Sequence, residues 1–213
     1  MAFPEATLER ESFSPPNEPL RMTEEEFVAW CDEDTWAEWV DGEVIVASPA
    51  SIHHVRIAKL LLKILDTLVE QKGLGEVFGP EAMIRLAGLR RRRMPDLFFI
   101  ANERLSLLRP NHFEGAPDLI VEIVSPDSVS RDWRVKYLEY ERAGVREYWV
   151  VDPLAGQVEA YALGEDGQYA PIEEKDGALD SVVIPGLYLR PEWLWQVPRP
   201  DSIEILRELG VLK

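Results

Sequence analysis

The sequence predicts an α/β fold, a mixed sheet flanked by helices with a β-hairpin added at each side. Three observations predict it. A long amphipathic helix is followed by extended apolar segments, a second helix and another apolar strand, an alternation that packs as layers. The segment PDLIVEIVSP is apolar at almost every position, as in a strand covered on both faces. Turn signals at Asp41-Gly42 and across Gly164-Glu165-Asp166-Gly167 mark paired strands on either side of that series.

Residues 1–21 hold Pro15-Pro16 and Pro19 among Glu and Ser and predict a flexible arm, leaving residues 22–213 as one domain. Thr23 followed by Glu26 is a capping box for a short helix through Phe27, Val28 and Trp30. The run EWVDGEVIVAS reads as a hairpin around Asp41-Gly42. From His54 to Lys72, Ile57, Leu61, Ile64, Leu65 and Leu68 recur at three- and four-residue spacing, so a helix is expected, closed by Gly73. Arg56, Lys59, Lys63, Asp66 and Glu70 fall on its other face, where charge needs no function. Extended segments are expected over Glu76–Leu86, Met94–Ala101 and Asp118–Ser125, the last two separated by an irregular stretch with Pro110 and Gly115. A second helix follows from Asp132 to Ala143, stopped by Gly144, then a buried strand in EYWVVDP. Gln157–Leu163 and Tyr169–Ile172 form the second hairpin, and a short helix is expected near Ile203–Leu209.

Composition sets bounds on function. With 46% hydrophobic residues the chain can build a core, and its single cysteine, Cys31, excludes an internal disulfide. The start MAFPEATLERESF has acidic residues and no apolar core, so no signal peptide is expected, and no apolar run approaches the ~20 residues of a membrane span. A cytoplasmic protein is the expectation. The net charge of -16 opposes long-range attraction to nucleic acid, so any such contact must use a local basic patch. The densest is the run Arg90, Arg91, Arg92 and Arg93, with Arg85, Arg131, Arg134 and Lys136 elsewhere in mid-chain. Taken alone, the run also reads as a solvated hairpin loop.

Two acids stand where acids are costly. Glu122 sits inside Leu119, Ile120, Val121, Ile123 and Val124, where an ionised carboxylate must be protonated, paired or bound to a cation. Alternation puts it on one face with Asp118, Ile120 and Val124. Asp96 follows Pro95 and heads a second apolar run, sharing a face with Phe98 and Ile100. Proline cannot donate to a sheet ladder, so Pro95 marks that strand's first residue. On neighbouring strands the two carboxylates converge and suit a hard cation such as Mg²⁺. Structural readings stand beside this one: Glu122 paired with Arg134 or Lys136, and Asp96 capping a turn.

These residues and their surroundings resemble the Uma family of restriction-endonuclease-like proteins, within the PD-(D/E)XK nuclease superfamily. The resemblance runs through MTEEEFVAW, WVDGE, SPASIHHVRI, GEVFGPEAMIRL, RRMPDLFFI, GAPDLIVEIVSPDS and RDWRVKYLEYERAGVREYWVVDP to IPGLYLRPEWLW. It implies a restriction-endonuclease-like fold, with Asp96 as the first acid and Glu122 as the second. The superfamily's lysine position falls on Val124, and the resemblance implies a lysine relocated to the following helix, Lys136, one turn from both Asp132 and Tyr140. An ordinary ion-pair role for Lys136 remains the alternative. Glu81 is implied as a further metal ligand, and Glu43 and His54 match family positions, His54 equally as a residue opening a helix.

The expected function is Mg²⁺-dependent hydrolysis of DNA phosphodiesters, with Mn²⁺ as a substitute ion. Asp96 and Glu122 would hold the metal with Glu81 and the Ile123 carbonyl, and Lys136 would stabilise negative charge. Arg90 to Arg93, Arg131 and Arg134 would guide the phosphate backbone. The alternative is a non-catalytic interaction protein on the same scaffold, favoured by Val124 and by the acidic charge. Tyr188, Trp193 and Trp195 would then serve a homodimer interface or, as aromatics more often do, the core.

Overall fold

The computed structural model describes residues 19–32, 34–125 and 132–213. Of the arm expected over residues 1–21, residues 19–21 are described, and they lie against the first hairpin: the Val44 N–H donates to the Leu20 carbonyl (2.8 Å). Helix α1 (Glu24–Trp30) opens on the expected capping box, with the Thr23 hydroxyl accepting from the Glu26 N–H and the Glu26 carboxylate accepting from the Thr23 N–H. Strands β1 (Ala37–Val40) and β2 (Glu43–Val46) pair antiparallel across Asp41-Gly42. Helix α2 (Ile52–Lys72) begins two residues before His54, because Ser51 caps it by accepting the His54 N–H (3.1 Å). It ends on Gly73 in the left-handed conformation, φ 61°, where a side chain would be strained.

The middle of the chain departs from expectation. The single extended stretch expected over Glu76–Leu86 is two strands, β3 (Gly75–Phe78) and β4 (Ile84–Leu86), which belong to different sheets. Gly79-Pro80 separates them, and a proline without an N–H cannot continue a ladder. The arginine run is a strand, β5 (Arg91–Arg93), rather than a solvated loop. Next comes β6 (Leu97–Ala101), so Pro95 precedes the strand rather than opening it. The stretch read as irregular holds a 3₁₀ segment (Asn102–Leu107) and a small hairpin of β7 (Leu108–Arg109) and β8 (His112–Glu114). Strand β9 (Leu119–Ile123), helix α3 (Asp132–Ala143) and strand β10 (Glu147–Asp152) follow as expected. Then come β11 (Gln157–Leu163) paired with β12 (Tyr169–Pro171), β13 (Leu179–Asp180) paired with β14 (Tyr188–Leu189), and helices α4 (Glu192–Trp195) and α5 (Ser202–Glu208).

Two six-stranded mixed sheets result where one was expected, ordered β2-β1-β5-β4-β8-β7 and β12-β11-β10-β9-β6-β3. The second is the spine. Its β9 runs antiparallel to β6 and parallel to β10, and all five β9 residues are buried. Side-chain alternation then divides the core. Leu97, Phe99, Leu119, Val121, Ile123, Trp149 and Val151 face α2 and α5, while Phe98, Ile100, Ile120, Tyr148 and Val150 face Ile84, Leu86 and Phe113 of the first sheet and Tyr140 of α3. Glu122 belongs by parity to the second face, between the sheets. Trp193 is buried, and Tyr188 and Trp195, both partly buried, pack against the α2 core, which is the core use of these aromatics.

Candidate active site

The register that pairs Leu97 with Val121 brings Asp96 opposite Glu122 one step beyond. Asp96 Oδ2 accepts the Ile123 N–H at 2.7 Å, which ties the acid that precedes β6 to the last residue of β9. A strand residue's N–H and C=O lie on the same side, so the Ile123 carbonyl faces this way too. Asp96 Oδ1 lies 2.9 Å from His54 Nε2, on the first turn of α2. That bond raises the imidazole above its ordinary value, against the opposing effect of burial. His54 Nδ1 is buried without a partner among the described residues.

Glu122 is held from α3. Lys136 Nζ donates to Oε2 at 3.1 Å, and the Tyr140 hydroxyl, one turn on, donates to Oε1 at 2.7 Å. Burial keeps the Tyr140 phenol protonated and therefore a donor. Burial also pushes the Glu122 carboxyl up to about 7; the Lys136 ammonium opposes this, while Asp96 and Glu38 add to it. Glu38, on β1, lies with Oε1 3.7 Å from Lys136 Nζ and accepts the Met94 N–H at 3.1 Å. Arg93 donates to Glu38 at 2.6 Å and to Glu139 of α3 at 2.7 Å, and is itself 2% exposed. Burial raises the Glu38 carboxyl, but Lys136 and Arg93 outweigh it and hold the group below its ordinary value. The centre is thus three carboxylates and one ammonium, fixed by β1, β6, β9, α2 and α3.

Asp96, Glu122, Lys136 and His54 come together as one cluster. Glu81 and Glu43 do not join it. Glu81 is exposed in the turn between β3 and β4, and Glu43 opens β2 and pairs with Arg21 at 3.3 Å. The arginine run turns inward: Arg92 bonds Glu24 (2.8 Å), Arg93 bonds Glu38 and Glu139, and Arg91 bonds Asp41 and Glu139. Only Arg90 of the four is largely exposed, with 70% of its side chain accessible. Arg134 is exposed on α3, and Arg131 lies outside the described residues. Sequence reasoning missed Glu38. Its one signal was strand alternation, which sets Glu38 opposite in facing to the buried Ala37 and Trp39, but five other acids crowd residues 32–43 and mask it.

Among the described residues no three His, Cys, Asp or Glu side chains are grouped as a metal-ligand set. Mg²⁺ asks for less, one or two carboxylates with waters completing the shell. Two facing carboxylates, one raised by burial and by other acids, are an oxygen donor set that fits such an ion.

The Pro95-Asp96 pair ahead of β6, the buried Glu122 on the neighbouring β9 and Lys136 beside it are the arrangement that the resemblance to restriction-endonuclease-like proteins implies. The chain belongs to the Uma2 family, whose model, described as "Putative restriction endonuclease", matches residues 24–192. Among solved structures it is similar to a crystal structure described as a "putative nuclease belonging to DUF820" from Anabaena variabilis, with TM-score 0.70 and 20% identity over 82% of this chain and 97% of that one. No curated protein matches the chain.

Proposed function

We propose that this protein is a metal-dependent nuclease that hydrolyses phosphodiester bonds of DNA, with Asp96, Glu122 and Lys136 as its catalytic residues. The observation that carries the reading is the pairing of Asp96 with Glu122 across β6 and β9 while Lys136 Nζ sits 3.1 Å from Glu122. Family membership supports the nuclease class. A Mg²⁺ or Mn²⁺ ion held by Asp96, Glu122 and the Ile123 carbonyl would polarise the phosphate and lower the pKa of a bound water. The chain's own groups do the rest. Tyr140 and Lys136 fix the two oxygens of Glu122, and His54 and the Ile123 N–H fix those of Asp96, so neither acid must reorganise when substrate enters. Lys136 also keeps a positive charge where the phosphorane gains negative charge. Glu38 holds Lys136 from its other side, and Arg93 locks Glu38 and Glu139 in place.

Lys136 on α3 places an ammonium beside Glu122 where Val124, next after β9, has none, which supports the catalytic reading over the non-catalytic scaffold. A homodimer would set two such centres against the two strands of a duplex and is the proposed working form, and the proposed compartment is the cytoplasm. Linear, supercoiled and single-stranded DNA incubated with Mg²⁺ or Mn²⁺ tests the reading. Cleavage is expected from wild type and lost in Asp96→Asn and Glu122→Gln. A pure, folded preparation inert on every substrate with either ion, or cleavage that survives both substitutions, removes it.

A further inference from the structure

A second cluster of basic side chains lies along the outer face of α2, the helix whose first turn carries His54. Arg56, Lys59 and Lys63 are exposed along α2, and with Arg199 from the segment between α4 and α5 they line a groove of about 580 Å³. Its other wall carries Trp195 and Val197, the latter 95% exposed. One acid, Asp201, lines it among the described residues, and that carboxylate caps α5 by accepting the Ile203 N–H at 2.7 Å. His53 also lines the groove, and the next residue, His54, bonds Asp96.

Three features set this groove apart from the rest of an acidic surface. The chain holds 39 acids against 23 Lys and Arg, yet Arg56, Lys59 and Lys63 have no carboxylate partner among the described residues, whereas Arg91, Arg92 and Arg93 all do. Arg56 stands close enough to Arg199 to depress it, adding to the effect of burial, so two guanidiniums face one space. The cations also share one face of α2 from its second turn to just past its middle, while Asp66 and Glu70 lie further along. These side chains together make one positive field, which calls for an anion.

We propose that this groove, on the outer face of α2, binds the phosphate backbone of the nucleic acid whose cleavage is assigned to the Asp96–Glu122 centre. The assignment rests on the nuclease reading and names its binding track, in place of the arginine run that the fold turns inward. From Arg56 to Lys63 the helix rises about 10 Å, the span of about three phosphates on one strand. Trp195 and Val197 offer apolar area to sugars and bases on the opposite wall. The groove recognises charge and carries no sequence code.

The test is fluorescence anisotropy with a labelled 20-mer, single-stranded and duplex, with Ca²⁺ replacing Mg²⁺, as KCl rises from 50 to 200 mM. Four phosphate contacts predict a loss of affinity of about 50-fold for single strands and about 150-fold for duplex over that range, from slopes of about -0.7 and -0.9 per contact. The triple variant Arg56→Gln/Lys59→Gln/Lys63→Gln should bind at least tenfold more weakly at 50 mM, with a slope shallower by about 2 to 3. Arg56→Lys/Lys59→Arg/Lys63→Arg should restore both. The strand form bound more tightly identifies the substrate form. A triple Gln variant with wild-type affinity and slope overturns the groove, and parallel Mg²⁺ cleavage by wild type would then leave the nuclease reading standing. If wild type neither binds nor cleaves, both fall together.

Discussion

Lys136 and Glu122 are balanced against each other, and each predicts a measurement. Lys136 is the positive charge nearest Glu122, so Lys136→Met should lower kcat by about 10²–10³ with KM little changed, since it removes a charge that acts on the transition state. Steady-state kinetics on a cleavable oligonucleotide checks this. A large KM effect with kcat intact would instead make Lys136 a binding group. Glu122 predicts a pH dependence of stability. Its carboxyl is raised from 4.5 to about 7, so the native state holds the proton more tightly than the unfolded chain. The stabilisation from that group is complete below about pH 4.5 and disappears as pH rises through 7. Urea unfolding in EDTA should therefore show wild type losing stability between pH 5 and 8 relative to Glu122→Gln, in which that component of the slope is gone. The same misfit made this residue legible in the sequence: a carboxylate inside LIVEI has few explanations, and Asp96 after Pro95 repeats the pattern. Glu38 gave no such sign. Nothing in AEWV distinguishes an acid aimed at a buried ammonium from one facing solvent, because its meaning depends on Arg93 and Lys136 arriving from β5 and α3.

At the scale of elements, what the sequence made legible was local. The Thr23 capping box, the Gly73 terminus, the Asp41-Gly42 turn and the extents of α3 and β10 are decided within a few residues, and they fold as read. Strand partnership was not legible. The Glu76–Leu86 stretch gives β3 to one sheet and β4 to the other, and that choice depends on β6 and β5 rather than on anything within the stretch. The arginine run misled for a related reason: four consecutive arginines look solvated until β5 pairs with β1 and β4 and turns Arg93 between Glu38 and Glu139. This bridge joins β1, β5 and α3 beneath the acidic centre. Arg93→Ala should cost about 3 kcal/mol in chemical denaturation, because it removes the guanidinium shared by two largely buried carboxylates and leaves Glu139 only Arg91, and Glu38 only Lys136 and the Met94 N–H. Replacing Arg93, Glu38 and Glu139 together by apolar residues of similar volume should cost much less, while still abolishing cleavage by releasing Lys136. A single substitution no worse than the triple would mean that the bridge has no structural role.

For the whole molecule, the charge of -16 complicates any experiment with divalent ions. Ions that merely gather around an acidic protein relieve its self-repulsion and raise its melting temperature without occupying a site. A bound ion acts differently, since it favours the native state by RT ln(1 + [L]/Kd), about 2.7 kcal/mol at a hundredfold excess over Kd. For a chain of this size that is about 5–10 °C. The two effects separate by residue. Against KCl of equal ionic strength, Mn²⁺ should raise the melting temperature of wild type by several degrees, and more at pH 8 than at pH 5, because at pH 5 the raised carboxyl of Glu122 is largely protonated and a poor ligand. Asp96→Asn should show only the small, pH-insensitive increment that ionic atmosphere gives. Glu76→Gln, on the exposed side of β3, alters net charge by the same amount and should respond as wild type does. Equal shifts in all three proteins would assign the whole effect to the acidic surface and leave the Asp96–Glu122 pair without an ion. A shift that vanishes in Asp96→Asn alone puts the ion beside Asp96, where the fold sets that carboxylate opposite Glu122.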